Sequence, residues 1–313
     1  MLALAACNER QSTLATFGQE AAGIRSIAVM LLIGAVIIAV GVTLLMQHAI
    51  RAPSGQLTHR GGMRLVLWLG GIGPTLLLGV LLVYSLPAMS PAPVSRADLR
   101  ITVEGEQFWW RVLYRPPGGA PVESANEVRV PVGRTVAFEL EGGDVLHSFW
   151  IPGLAGKMDM IPGRTNTLVT RATKPGRYRG QCTEFCGLSH ALMAFDVVAM
   201  EPAAFDTWLA DQRRPAVRDE RQAAAGQGLF ASYGCGGCHQ IRGTGERGGI
   251  GPDLTHFGQR RTLAAGILPM TTRNVARFIK HPELTKPGVR MPAFAHMPDR
   301  DAVALARYLQ GLK

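Results

Sequence analysis

Two stretches near the N-terminus lack the usual mixture of apolar and polar positions. Residues 27–46 (IAVMLLIGAVIIAVGVTLLM) and 65–86 (LVLWLGGIGPTLLLGVLLVYSL) contain no charged residue. At about 1.5 Å rise per residue each matches a hydrocarbon core of roughly 30 Å, so they predict membrane-spanning helices at about 27–46 and 65–87. Pro74 and the glycines around it would break a soluble helix. A membrane helix tolerates them where neighbouring groups re-satisfy the backbone. The alternative, a pair of buried core helices, fits poorly because such helices seldom lack charge over this length.

Beyond the stretch PAMSPAPVS the period changes. Residues 99–200 fall into short alternating or β-branched runs (LRITVEG, FWWRVLY, EVRVPVG, TVAFELEG, TNTLVTRA, AFDVVAM) punctuated by Gly and Pro. That pattern predicts an all-β sandwich or barrel. Residues 208–225 (WLADQRRPAVRDERQAAA) are charged and alanine-rich and read as a helical linker. Helical periodicity then dominates a last module, at 223–233, 272–280 and 300–312. The expected organisation is an N-terminal segment over 1–24, a transmembrane hairpin over 25–90, a β module over 96–205, a linker over 206–222 and an all-α module over 223–313.

Charge orients the hairpin. The connector 47–64 carries Arg51, Arg60 and Arg64 and no acidic residue, which by the positive-inside rule places it in the cytoplasm and both termini on the periplasmic side of a bacterial inner membrane. In that compartment thiols are uncommon unless oxidised or metal-bound, which bears on the chain's 5 cysteines. The net charge of +10 is shared unevenly, since residues 222–313 hold 12 Lys/Arg against 5 Asp/Glu. Nucleic acid is a common partner of basic proteins. The topology argues against it here, and a basic surface that meets an acidic partner or anionic membrane lipid fits better. At the start of the chain, MLALAACNER leads with small, apolar residues into Cys7, as lipoprotein signals do before an acylated cysteine, although no basic n-region precedes it. Cys7 is therefore a candidate lipidation site, with an incidental membrane-proximal thiol as the alternative.

Within the last module YGCGGCHQI supplies Cys235, Cys238 and His239, the C-x-x-C-H pattern that attaches c-type haem through two thioethers and an axial imidazole. The candidate second axial ligand is Met291 in KPGVRMPAF, because a thioether opposite a histidine raises the haem potential and suits electron transfer. Met297 is the competing sulfur, and Met270 reads as core packing. A disulfide between Cys235 and Cys238 would leave His239 and Met291 without a role. The module resembles class I cytochromes c over its whole length. That resemblance implies that the Pro252 carbonyl supports the proximal histidine.

The β module brings a second set of soft ligands. GQCTEFCGLSHALM contributes Cys182, Cys186, His190 and Met193, and DVLHSFWIP contributes His147. A structural zinc site would leave Met193 idle, a disulfide would waste both histidines, and a blue-copper site would leave one cysteine over. Two copper ions bridged by both sulfurs, with one histidine each, use every residue.

DVLHSFWIP, GKMDMIPGR and GQCTEFCGLSHALM resemble the dinuclear copper A region of cytochrome c oxidase subunit II, and with the hairpin and the C-terminal cytochrome the chain is similar to the subclass whose cytochrome c donor is fused to that subunit. The resemblance implies a membrane-anchored multidomain chain: a two-helix hairpin, a cupredoxin-like β sandwich and an all-α cytochrome c domain. It implies copper ligation by His147, Cys182, Cys186, His190, Met193 and the Glu184 backbone carbonyl, with the Glu184 carboxylate directed to a magnesium ion at the interface with subunit I. Such a chain is a subunit of cytochrome c oxidase that passes electrons from haem c through copper A. Oxygen reduction and proton translocation occur in another subunit. Its partners would be subunit I and other oxidase subunits, and a cytochrome c or membrane-bound donor.

Two departures from the family pattern stand out. In GEQFWWRVLY the family's tryptophan after the glutamine is replaced by Phe108, followed by Trp109 and Trp110. These three aromatics are either a patch where electrons enter or packing on a strand. Near the start of the second helix, where the family often carries a glutamate linked to proton uptake, stand Arg64 and Leu65. Rival functions are a copper A subunit of a nitric oxide reductase and a protein that stores or delivers copper. A carrier has no use for a covalent haem.

Overall fold

A computed structural model describes residues 8–53, 55–56, 58–89, 93–116, 118–217 and 220–313. Cys7 lies outside the described residues. The chain divides into two units.

Residues 22–91 form one unit. Helix α1, Gln19–Arg51, runs into it, and α2, His59–Val66, continues through a widened turn, Leu67–Ile72, into α3, Gly73–Met89. The helices at Gln19–Arg51 and His59–Pro87 are long and apolar enough to cross a membrane, and their apolar windows are not buried within the described residues. They overrun the expected 27–46 and 65–87 because helical hydrogen bonding continues into the polar flanks. The widened turn has a local cause: Pro74 lacks an N–H, and its ring crowds the carbonyl one turn back. Loosening the turn lets the Gly73 N–H reach the Trp68 carbonyl, and the Thr75 hydroxyl donates to the Gly71 carbonyl at 2.9 Å. The backbone is re-satisfied from within the helix.

The other unit comprises residues 1–21 and 92–313. Its first part is a sandwich of two five-stranded sheets. One sheet has the order β3 (Val122–Ala125), β2 (Trp109–Arg115), β1 (Leu99–Glu106), β5 (Thr135–Gly142), β8 (Asn166–Arg171). The second has the order β4 (Glu127–Pro131), β10 (Ala194–Met200), β9 (Gly176–Cys182), β6 (His147–Trp150), β7 (Met158–Met160). β1 and β5 run parallel, as do β4 and β10, and the remaining pairs are antiparallel. The two-residue period decides what faces inward. Along β2 the buried positions are Trp110, Val112 and Tyr114, and they meet Phe149, Phe195 and Val197 from the facing sheet in one core.

The stretch expected to be one helical linker is two helices with a break. Helix α4, Pro202–Gln212, places Phe205, Trp208 and Leu209 on one stripe that closes the end of the sandwich core. The helix ends at Gln212, ahead of Pro215, which disfavours helical conformation in the residue before it. Helix α5, Glu220–Ser232, then begins the last module.

That module contains α5, α6 (Thr272–Lys280), α7 (Pro282–Thr285) and α8 (Asp299–Gly311), near the three expected helical stretches. It adds a two-stranded hairpin, Thr262–Leu263 with Leu268–Pro269, whose short strands carried too little period to be read in advance. Phe230, Leu305, Tyr308 and Leu309 form much of its core. Three of its loops rest on the sandwich: Arg111 donates to the Gly249 carbonyl at 2.9 Å, Arg179 to the Gly266 carbonyl at 2.7 Å, and the Ser189 hydroxyl to the Pro287 carbonyl at 2.7 Å. Ala265 is packed into the sandwich core itself.

Trp208 packs edge-on against Tyr114 at 5.1 Å, under the Arg129 guanidinium at 4.8 Å. Truncation there opens a large cavity, and Trp208→Ala is expected to lower the unfolding free energy by about 3–5 kcal/mol, read from chemical denaturation followed by tryptophan fluorescence.

Candidate metal centre

The cysteine loop is built on the end of β9 and closed at its neck. Cys182, the last residue of β9, donates its N–H to the Met193 carbonyl at 2.9 Å, and the Thr183 N–H reaches the Ser148 carbonyl on β6 at 3.1 Å. The single turn His190–Leu192 carries His190, and Met193 stands just ahead of β10. β6 brings His147 to the same place, paired across from Met160.

The side chains converge. Cys182 Sγ and Cys186 Sγ are 3.9 Å apart, and His147 Nδ1 lies 3.8 Å from the first. His190 Nδ1 and Met193 Sδ lie 3.6 and 3.8 Å from the Cys186 sulfur. The Glu184 carbonyl oxygen is 3.2 Å from Cys182 Sγ. His147, Cys182 and Cys186 are buried and mutually close enough to share a metal ion. Both cysteines are free thiols, so the disulfide alternative is not what the structure forms. The set fits soft or borderline metals, which take thiolate, thioether and imidazole together.

Electrostatics follow from crowding two thiols in a buried space. The hydrogen bond from Cys186 pulls the Cys182 thiol well below its ordinary range, against burial and with help from His147. The same contact and burial push the Cys186 thiol upward. Metal ligation requires both sulfurs as thiolates, so binding there releases protons. Burial works against the His147 imidazolium, yet contacts with Cys182 and Asp144 outweigh it and raise its pKa above the usual value.

Asp144 organises the wall behind His147. Its Oδ1 meets His147 Nε2 at 2.9 Å and accepts the Val145 N–H at 2.7 Å. Its Oδ2 accepts the Gln107 N–H and the Arg290 guanidinium, each at 2.8 Å. Burial tends to raise the carboxyl's pKa, but the hydrogen bonds from His147, foremost, and from the Gln107 and Val145 N–H groups hold it below the usual carboxylate range. A carboxylate on the far nitrogen fixes the orientation of a ligating imidazole. Gln107 reaches on to the Cys186 carbonyl through Nε2 at 2.5 Å. Sequence reasoning missed Asp144 and Gln107 as part of the site. The available signal was an acid three residues before a candidate histidine ligand.

In the last module His239 directs Nδ1 at the Pro252 carbonyl, 2.8 Å away, which leaves Nε2 free. Burial lowers the His239 pKa, so the neutral imidazole needed for ligation is favoured. Cys235 and Cys238 are free, half-buried thiols on the turn just before it. Gly251 lies so close that a Cβ there would sit 2.6 Å from His239 Cε1. These residues fit a covalently attached haem. Of the two candidate sulfurs, Met291 is partly buried at the edge of the module's core and Met297 is 1% exposed within it.

The three aromatics of GEQFWWRVLY separate. Trp110 is fully buried in the sandwich, 6.2 Å from the His147 ring and 5.0 Å from Phe195, so it forms no surface patch. Trp109 is half-buried, with Arg111 stacked over it at 4.8 Å. Phe108 is buried, and its carbonyl accepts from the ammonium of Lys286 in the last module. Burial pulls the Lys286 pKa down to about 7, although the Cys186 sulfur opposes this.

Two family models match the modules that carry these sites. The family model for the cytochrome c oxidase subunit II periplasmic domain matches residues 117–200, and that for cytochrome c matches residues 223–313. These matches imply copper A and haem c. The chain is 41% identical to cytochrome c oxidase subunit 2 of Alkalihalophilus pseudofirmus over 68% of its own length and 61% of that protein, so it spans less than two thirds of that relative. It is 31% identical to cytochrome c oxidase subunit 2 of Bacillus subtilis over 77% of its own length and 72% of that protein. Among solved structures, the periplasmic domain of subunit II of cytochrome oxidase from Bradyrhizobium japonicum is 32% identical, covering 39% of this chain and 97% of that one with a TM-score of 0.36.

Gly105 on β1 faces the His147 ring, and a Cβ there would meet its Cγ and Cδ2 at 2.9 Å. Gly105→Ala is therefore expected to displace His147 and to weaken copper binding at least tenfold without altering any donor, measured by competition with a copper chelator.

Proposed function

Because the chain belongs to the cytochrome c oxidase subunit 2 family, we propose that it is the electron-transfer subunit of a terminal haem–copper oxidase, serving a catalytic subunit elsewhere in the complex that reduces oxygen to water and translocates protons. One observation carries this reading. Each of the two sulfurs, 3.9 Å apart, has its own imidazole, His147 Nδ1 at 3.8 Å on Cys182 and His190 Nδ1 at 3.6 Å on Cys186. A single four-coordinate ion would be satisfied by the two thiolates and two imidazoles and would leave Met193 Sδ, 3.8 Å from the Cys186 sulfur, idle; the whole set would hold two copper ions.

Copper A and haem c, when bound, supply reversible one-electron acceptance. The residues position and insulate. Met193 and the Glu184 carbonyl complete the copper set, and the Glu184 carboxylate is left for a magnesium ion shared with subunit I. Cys235 and Cys238 would hold the haem covalently, and His239, supported by the Pro252 carbonyl, and Met291 would ligate its iron. In this reading both termini lie in the periplasm, and the donor is a cytochrome c or a membrane-bound protein. Phe108 faces the haem-bearing module, and Trp110 serves packing.

Electron paramagnetic resonance and near-infrared absorption on the purified oxidase complex test the central claim. A mixed-valence copper pair at two coppers per chain is expected, and a plain mononuclear signal would overturn it. The axial assignment has its own test: Met291→Leu should abolish the methionine–haem charge-transfer band while Met297→Leu preserves it. The reverse result would move the ligand to Met297.

A further inference from the structure

The loop from Lys286 to Arg290 makes three polar contacts with the sandwich, all on the walls of the copper cradle. The Lys286 side chain, 2% exposed, donates from Nζ to the Phe108 carbonyl. The Pro287 carbonyl accepts from the Ser189 hydroxyl at 2.7 Å, and Ser189 precedes His190. Arg290 donates to Asp144 Oδ2 at 2.8 Å, and the other oxygen of that carboxylate holds His147. Gly288, between these anchors, lies over Phe108 and Leu188, where even a Cβ would be 3.5 and 3.3 Å from their side chains. Met291 follows Arg290 directly.

A tethered donor could instead touch the sandwich loosely and in many orientations. The pattern here argues for one pose. Lys286 gives up its hydration to reach a single carbonyl, a cost that is offset only if the contact persists. Asp144 is 10% exposed and already engaged by His147, Val145 and Gln107, so Arg290 finds a preoriented acceptor.

Resting on the function proposed above, we propose that Lys286 and Arg290 are positioning residues that lock the haem-bearing module onto the copper cradle through Phe108 and Asp144, setting the pose from which electrons are delivered. Neither residue touches a reacting atom. Their effect is to hold the loop that carries Met291 against the wall that carries His147 and Cys186, so that the distance between the two redox sites is fixed by contacts and not by tether length.

The test uses the purified oxidase complex with Arg290→Gln, Lys286→Met and Arg290→Lys. Hydrogen exchange of peptides spanning 104–112 and 284–292 reads docking without depending on activity. Flash photoreduction of the haem, followed at the copper absorption, reads delivery. Arg290→Gln and Lys286→Met are expected to speed exchange in both peptides at least tenfold and to slow haem-to-copper transfer at least tenfold, with the copper resonance and the haem spectrum unchanged. Arg290→Lys should stay within threefold of the unaltered protein in both measurements. Exchange and transfer within twofold of the unaltered protein in both loss variants would overturn the proposal, as would faster exchange with an unchanged transfer rate. Absence of a mixed-valence copper signal in the unaltered complex would instead refute the function, and the exchange data would still report whether the loop is docked.

Discussion

Joining two thiols, two imidazoles and a thioether through successive contacts of 3.6 to 3.9 Å in a largely buried space costs free energy in the metal-free chain, because the donors lose water and none gains an ion. The rest of the sandwich can be read as what makes that crowding tolerable. β9 and β10 are adjacent in their sheet, so the ten residues between Cys182 and Met193 form a loop held at its neck by a backbone hydrogen bond. β6 lies on the other side of β9 and delivers His147. The aromatic core behind them, Trp110, Phe149 and Phe195, fills the space that would otherwise let the ligands relax apart. A rigid, dense frame prepays the ordering of the ligands.

The same frame serves as the seat of the C-terminal module. Its loops at Gly249, Ala265–Gly266 and Lys286–Arg290 meet the sandwich mainly through backbone carbonyls and buried side chains, joined by one ion pair, Arg290 with the largely buried Asp144. Exposed pairs would be weak and sensitive to salt. Lys286 and Arg290 are the part of the module's basic excess that takes part in this seating.

Much of this was legible in the sequence, and the reasons differ by element. Twenty uncharged residues cannot be hidden, and the two helices stood out at once. The β runs announced a sandwich because one face of each strand is buried, and Trp110, Val112 and Tyr114 follow the two-residue period without a break. The candidate donors stand out because Cys, His and Met are scarce enough for spacing to carry information, and the structure brings His147, Cys182, Cys186, His190 and Met193 together. The failures share a cause: they are set by tertiary contact. Trp208 and Leu209 looked like a linker because their spacing fits any amphipathic helix, and only the end of the sandwich core makes them buried. Asp144 reads as an ordinary loop acid until His147, three residues on, folds back to it and Gln107 and Arg290 arrive from two distant parts of the chain. Trp110 and Trp109 are neighbours of identical composition whose environments differ because a strand sends successive side chains to opposite faces.

The Asp144 carboxylate carries the copper-side histidine on one oxygen and the haem-side arginine on the other, and both oxygens turn with one plane. Two binding events that share such a group are thermodynamically linked, and linkage is reciprocal. Whatever factor the docked module contributes to holding His147 in its ligating orientation, a settled His147 returns to the docked module. Sharing this carboxylate therefore does more for the two modules than raise their local concentration: it allows the state of each to be felt as an affinity by the other.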